Sequence, residues 1–290
     1  MTSLMKANPN APALIMTGPQ QISILSGTAF AGLTFAEDTP VAIAPGLLQP
    51  GHDYAVTVVD GKATVTETAS ATLADNVLGG FHFALGGNAG ARNGGDTVAA
   101  INPYSVWDRN FRPACDDPRG MTRVEVEGGA AFWCDIYLTA AEHSQGTSRC
   151  GATIADGDSL PQSAGDKEFD SFDYEAARAV LAHHGKDLLS VLEFFAAAYG
   201  VTEKTAVGRN PKIAQLDAPR TSRWGVMQAT GNMWTWGHDG DPDMPRASIF
   251  GGSWLNGADA GSRDAILGDW PGSSNDDIGA RGRSDHLQLA

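Results

Sequence analysis

Residues 246–290, RASIFGGSWLNGADAGSRDAILGDWPGSSNDDIGARGRSDHLQLA, constrain the fold more than any other stretch, because two kinds of position are interleaved in them. One kind is set by backbone geometry: Gly251, Gly252, Trp254, the triplet Gly261-Ser262-Arg263, Pro271, Ser274, Asn275 and the run Ile278-Gly279-Ala280-Arg281-Gly282. Glycines there permit left-handed or crowded backbone, and Trp254 and Ile278 are expected to anchor the segment in a core. The other kind has no consistent chemistry. Leu255, Asn256, Ala258, Asp259, Asp264, Ile266, Leu267, Asp269, Trp270, Ser273, Asp276 and Asp277 mix acids, aliphatics and an aromatic. They follow neither the period of a strand nor that of a helix. A rigid frame that displays loosely constrained side chains suits a binding surface, so these positions are the candidate ligand-binding residues.

The rest of the chain reads as two parts. Residues 1–19 carry Asn, Pro and Ala with little periodicity and are expected to form an arm. From residue 20 to 68 the texture is β, with short apolar runs at 21–25 and 30–35 between glycines and prolines. Residues 54–59 and 63–68 flank Asp60-Gly61, a strong signal for a type I′ hairpin. Residues 1–75 are therefore expected to be a small β domain, and the small polar stretch 69–76 marks the boundary with a second domain, 76–290.

Within the second part, the glycine-dense run 79–95 reads as an irregular loop. Gly86, Gly87 and Gly90 do not make a phosphate loop, since the run lacks a Gly-Lys-Ser/Thr ending and a clear strand and helix around it. Trp107 and Phe111 look like core anchors, and 121–126 and 132–138 read as strands. In 132–138 the alternation puts Phe132, Cys134, Ile136 and Leu138 on one face and Trp133, Asp135 and Tyr137 on the other. Residues 151–172 form an acidic loop. Two helices follow. Asp173 is an N-cap for a stripe of Ala177, Val180, Leu181 and His184, ended by Gly185; Leu188, Val191, Leu192, Phe195 and Tyr199 repeat the spacing until Gly200. Trp234 and Trp236, two apart on an expected strand, share one face in the core.

Composition excludes several classes of function. A net charge of −14 opposes nucleic acid or an anionic membrane as partner, because phosphate recognition needs clustered Lys and Arg. No apolar run approaches the ~20 residues of a membrane span, and the N-terminus lacks the pattern of a signal peptide. Cys115, Cys134 and Cys150 fit no zinc spacing and are read as free thiols. The histidines His52, His82, His143, His183, His184, His238 and His286 show no HxxxH or HxH spacing, and adjacent His183 and His184 diverge by about 100° on a helix. Asp239, Asp241 and Asp243 alternate as calcium ligands would. An EF-hand, however, needs Gly and Glu where Met244 and Phe250 stand, so a solvated acidic turn is the default and a different calcium loop stays open. No Gly-x-Ser-x-Gly elbow occurs. No catalytic residue, cofactor or metal ligand is assigned.

Gly251-Gly252-Ser253-Trp254, then Arg263, behind Gly231-Asn232-Met233-Trp234-Thr235-Trp236-Gly237, resembles the formylglycine-generating-enzyme branch of the C-type-lectin fold. Extended by Gly261-Ser262-Arg263, Ser274-Asn275 and Ile278 to Gly282, the pattern is similar to the variable proteins of diversity-generating retroelements, the phage and prophage receptor-binding type. The resemblance implies an α+β, C-type-lectin-like domain with irregular loops and two helices, preceded by a small β domain for attachment or oligomerisation. It also implies a variable region at about 246–290. The expected partner is a protein or glycan on a target cell surface, bound without covalent chemistry from a phage tail or fibre tip. A homo-oligomer, a trimer in a fibre, would fit. The enzymes of the branch use a C-terminal thiol pair or a histidine iron site, and no cysteine follows Cys150. An oxidase or sulfoxide synthase, or a structural tail protein without ligand, are the alternatives.

Overall fold

The computed structural model describes residues 3–68, 73–86, 97–126 and 128–288. Residues 3–19 are no arm. Leu4, Ala13 and Leu14 are buried, and Leu14–Gly18 pairs antiparallel with Gln21–Ile24, which in turn pairs with Thr39–Pro40. Little periodicity shows in so short a strand because only alternate side chains enter the core. The apolar run at 30–35 also divides: Thr28–Phe30 and Leu33–Phe35 form a hairpin that turns at Ala31 and Gly32, both with positive φ. The Asp60-Gly61 hairpin forms as expected, with Val59 opposite Lys62 and φ of 48° and 76° at the two turn residues.

The strand His52–Val59 pairs on its other side with Val77–Ala84, which runs into the stretch 79–95 expected to be an irregular loop. Its glycines serve close packing. A Cβ on Gly79 would lie 2.2 Å from the Trp107 carbonyl oxygen, and one on Gly80 would lie 2.4 Å from the Tyr54 carbonyl oxygen and 2.7 Å from the Trp107 indole. Bare backbone is what lets Trp107–Asp108 pair with this strand. Residues 87–96, with the rest of the rejected phosphate-loop motif, lie outside the described residues. The expected boundary at 75–76 falls between the strands Lys62–Glu67 and Val77–Ala84, which both pair with His52–Val59.

The C-terminal part is built on an eight-stranded sheet. Its order is Met121–Val124, Phe132–Asp135, Gly282–Ser284, Asp187–Ser190, Trp234–His238, Ala247–Phe250 and Ala265–Leu267, with Ile278–Ala280 beside Trp234–His238. The last residues of the chain thus enter the middle of the sheet, on both sides of Arg281. All of 132–138 is buried. Phe132 and Cys134 face one core cluster and Trp133 another, as alternation requires, but Ile136, Tyr137 and Leu138 share a third cluster because the strand ends at Asp135. The acidic stretch 151–172 is partly tied down, with Ile154, Ala155 and Phe172 fully buried.

Helix α1, Tyr174–His183, begins at Asp173, whose carboxylate accepts the Ala176 N–H, and it buries Ala177, Val180 and Leu181. The second helix departs from expectation. Asp187–Ser190 is a strand, and α2 covers only Val191–Ala197, started by a capping box in which Ser190 and Glu193 exchange hydrogen bonds. Leu188 and Leu189 are buried by the sheet, and α2 buries Phe194 and Ala197 instead of the expected stripe, leaving Leu192 and Tyr199 in solvent. Trp234 and Trp236 share a core cluster as expected.

Candidate ligand-binding site

The glycine frame holds the C-terminal segment by backbone hydrogen bonds. After the strand Ala247–Phe250, Gly251 and Gly252 take φ of 91° and 73°. A Cβ on Gly252 would meet Ala260 Cα at 2.8 Å. Their carbonyls both accept the Gly231 N–H, at 3.1 and 3.0 Å, and the Trp254 N–H donates to the Asn232 carbonyl. The Gly-Asn stretch at 231–232 and the Gly-Gly-Ser-Trp stretch at 251–254 are therefore two halves of one clasp. Trp254 is half-buried against the cluster containing Leu138 and Met233. Ser262 is held by Glu203, which accepts its N–H at 3.0 Å and its hydroxyl at 2.5 Å. No sequence spacing announces Glu203, because the contact joins distant segments.

The frame residues from 271 to 275 act through different groups. The Pro271 carbonyl accepts the Tyr174 N–H, the Ser274 hydroxyl accepts the Phe172 N–H, and the Asn275 carbonyl accepts the Gly157 N–H. Pro271 and Asn275 themselves are exposed. Arg281 is buried, with Nη1 donating to the carbonyls of Asp135 and Ile136 and Nη2 to that of Met227. Burial lowers its pKa. Arg263 departs from the buried frame: it is exposed, and its guanidinium lies over the Phe195 ring at 4.9 Å.

None of the twelve candidate positions is buried. Leu255, Ala258, Asp259, Ile266, Leu267 and Trp270 are exposed, with Trp270 at 71%. Asn256, Asp264, Asp269, Ser273, Asp276 and Asp277 are half-buried, and several of these have structural contacts. Asn256 Oδ1 accepts the N–H and hydroxyl of Ser253 at 2.7 and 2.9 Å. Asp276 is gripped by Asn210, whose Nδ2 donates to its carbonyl at 2.9 Å and its carboxylate at 3.2 Å. Asp264 sits over Gly252, and burial, aided by the charge of Asp259, pushes its carboxyl pKa up. Burial also raises Asp277, against a hydrogen bond from Ser253.

Two groups result. Asn256, Asp264 and Asp277 gather around the Gly252-Ser253 turn through these contacts, with Asp259 acting on Asp264 and Asp276 on Asp277 through their charges. Ile266 and Leu267 lie on the outermost strand of the sheet, opposite Ile249 and Ser248, with Trp270 just beyond. Both neighbours on that strand are exposed, which explains the missing alternation.

The side chains weighed above as possible metal ligands are engaged within the fold. Asp239 accepts Arg246 Nε at 2.7 Å and the Arg246 N–H at 3.0 Å, which holds its carboxyl down at about 2. Asp241 accepts the N–H groups of Asp243 and Met244. His184 Nε2 and His143 Nδ1 are 2.9 Å apart. Among the described residues no group of three or more His, Cys, Asp or Glu is arranged to hold a metal ion. The three cysteines are free, and burial pushes the Cys134 thiol up to about 12. No helix among the described residues is long and apolar enough to cross a membrane.

Fold and site together define a class of protein with a C-type-lectin fold that carries an exposed, irregular C-terminal segment on a glycine clasp. The Mtd second domain model matches residues 12–108. A tail fiber receptor-binding protein of Bordetella phage BPP-1 is 36% identical over 338 residues, spanning 99% of this chain and 86% of that protein. Solved structures of the U1 and I1 variants of Major Tropism Determinant superpose with TM-scores of 0.85 and 0.86 at 36% and 37% identity. They cover 99% of this chain and 86% and 87% of theirs. The chain belongs to the Major Tropism Determinant family of phage tail-fibre proteins, a family of receptor-binding proteins and not of enzymes.

Proposed function

We propose that this chain is the receptor-binding protein of a phage or prophage tail fibre, a virion component that recognises a molecule on a target cell surface. Recognition is non-covalent and runs through the side chains between residues 255 and 277, in a region rewritten at the DNA level by a retroelement. Residues 246–290 form the variable region of a lectin-type domain, and the N-terminal β part serves attachment or oligomerisation, with a trimer as the fibre-compatible assembly. The observation that carries this reading is the division of burial within one segment. Gly251, Gly252, Ser262 and the run from Ile278 to Gly282 are buried, whereas Leu255, Ala258, Asp259, Ile266, Leu267 and Trp270 are exposed. Exposed positions away from caps and core usually change stability by only ~0.5 kcal/mol, so one frame tolerates many side-chain sets. Affinity concentrates in large apolar groups, here Trp270, Ile266 and Leu267, and multivalent display raises weak single-site binding.

Joint substitution of Asp259, Ile266, Leu267 and Trp270 by Ala tests the reading, with adsorption to host cells and thermal melting as the two measurements. Adsorption is expected to vanish with the Tm nearly unchanged. Retained adsorption sinks the proposal. For the genetic part, a near-copy of the 3′ end of the gene, differing mainly at adenines and lying beside a reverse-transcriptase gene, is the expected finding.

A further inference from the structure

A groove of about 710 Å3 runs along the outer face of α2, apart from the candidate positions described above. Leu192 and Tyr199 stand on its rim, 74% and 54% exposed. Its floor holds two aromatic rings, and each is already covered by a guanidinium: Arg263 lies 4.9 Å from the Phe195 centroid and Arg223 lies 5.2 Å from that of Trp224. Trp224 is itself pinned, its indole N–H donating to the Ala196 carbonyl at 2.8 Å. A guanidinium held over a ring still has N–H groups for a carboxylate and loses little further freedom when it binds one. Neither Arg223 nor Arg263 has an ion-pair partner among the described residues. Glu125, the acidic residue lining the groove, is already engaged by Arg123 at 2.5 Å. Two unneutralised cations over an apolar floor stand out on a chain whose net charge is −14.

We propose that this groove docks a peptide segment of a partner protein that presents carboxylate side chains flanked by apolar ones. The guanidinium forks of Arg223 and Arg263 take the carboxylates, and Leu192 and Tyr199 take the apolar neighbours. The pattern is that of acidic-motif recognition by paired arginines. A sugar is the poorer occupant, because saccharide rings pack on bare aromatic faces and here one arginine already lies over each ring. The exposed aliphatic Leu192 also offers a sugar no hydrogen bond.

The experiment uses the full chain and a fluorescein-labelled ten-residue peptide of alternating Glu and Leu, its counterpart with Gln in place of every Glu, and oligogalacturonate. Binding is followed by fluorescence anisotropy and by the NMR shift of the Trp224 indole N–H. The acidic peptide is expected to bind saturably, more weakly as salt rises, and to shift that indole signal. Both the Gln peptide and the double variant R223Q/R263Q should bind at least tenfold more weakly, the variant with unchanged Tm. The joint Ala variant at Asp259, Ile266, Leu267 and Trp270 should bind the peptide normally, which separates this surface from the receptor-binding reading. The proposal is overturned if no peptide binds saturably, if the Gln peptide or R223Q/R263Q binds as well, or if oligogalacturonate binds as tightly. It is equally overturned if sedimentation shows self-association that R223Q/R263Q abolishes, since the groove would then be a contact between copies.

Discussion

Arg281 Nη1 donates to the carbonyl of Asp135 at 2.8 Å, while Asp135 Oδ2 accepts the N–H of the next residue, Gly282, at 3.1 Å. The two residues lock the end of the chain against the centre of the sheet, and neither is exposed to water. Asp135 Oδ1 also receives Lys186 Nζ at 2.5 Å, so the buried carboxylate has a cation as partner. Arg281→Leu removes the guanidinium from the buried carbonyls of Asp135 and Met227, while that of Ile136 keeps the Met227 N–H, and an unsatisfied buried polar group costs about 1–3 kcal/mol. A loss of roughly 3 kcal/mol is expected for the variant, measured by urea unfolding. Gly282→Ala should be comparably damaging, since its Cβ would lie 2.7 Å from Asp135 Oδ2. A wild-type midpoint in both variants would show that the lock does not matter.

The capping box at α2 gives a milder prediction. Ser190 Oγ accepts the Glu193 N–H, and Glu193 Oε2 accepts the Ser190 N–H at 2.9 Å. Ser190→Ala removes one side of this exchange and should lower stability by about 1 kcal/mol, as N-cap losses do. Glu193 also holds Arg283 at 2.9 Å, so Glu193→Ala should cost more than Ser190→Ala. Equal losses would mean that the link to Arg283 contributes nothing.

The same helix shows where the sequence was legible and where it was not. Asp173, Asp60-Gly61 and the two tryptophans at 234 and 236 declare themselves through local chemistry, and each is where that chemistry puts it. Leu188 and Leu189 belong to a strand buried on both faces, whose apolar run cannot be told from a helix stripe by periodicity alone. The glycines at 79 and 80 suggested a loop because flexibility is the commoner reason for glycine, whereas here the reason is the Trp107 ring and the strand behind it. In the candidate site, the exposed set followed from the absence of any period. The half-buried set was not separable in sequence, because Asn210 and Ser253 reach their partners only after the chain has folded.

Acid should weaken the fold through the histidine pair under α1. His143 Nε2 donates to the Gln162 carbonyl at 2.9 Å, so its Nδ1 accepts from His184 Nε2 and both rings are neutral. Burial and then the neighbouring His143 depress His184 to about 4, below its ordinary 6.5, and His143 is lowered as well. The unfolded chain therefore binds more protons than the native one between those values, and stability is lost as pH falls from 6.5 towards 4. Asp264 and Asp277, whose carboxyls are raised, act with the opposite sign above 3.8, since the folded state holds their protons more firmly. The informative quantity is consequently the difference between wild type and His184→Asn. The variant should show a flatter fall in Tm from pH 6.5 to pH 4.5, and parallel curves would count against the pair.

Substitution cost should divide the candidate positions into two sets. Leu255, Ile266, Leu267 and Trp270 expose between 44% and 71% of their surface and make no side-chain hydrogen bond among the described residues. Exchange of any of them for Ser or Asp is expected to move stability by no more than about 0.5 kcal/mol. Asn256 is different, because its carboxamide oxygen takes both the N–H and the hydroxyl of Ser253 at the turn that follows Gly252. Asn256→Ala should cost about 1 kcal/mol, the net value of a hydrogen bond, whether or not a receptor is present. Asp276→Ala leaves Asn210 with the Asp276 carbonyl as its acceptor and should fall between the two. A panel of single variants scored for both melting and host adsorption would therefore separate display from support. The exposed set should lose adsorption at constant Tm, and the Ser253-linked set should lose both together. Should Trp270→Ser prove as destabilising as Asn256→Ala, the frame would not end where the burial pattern puts it.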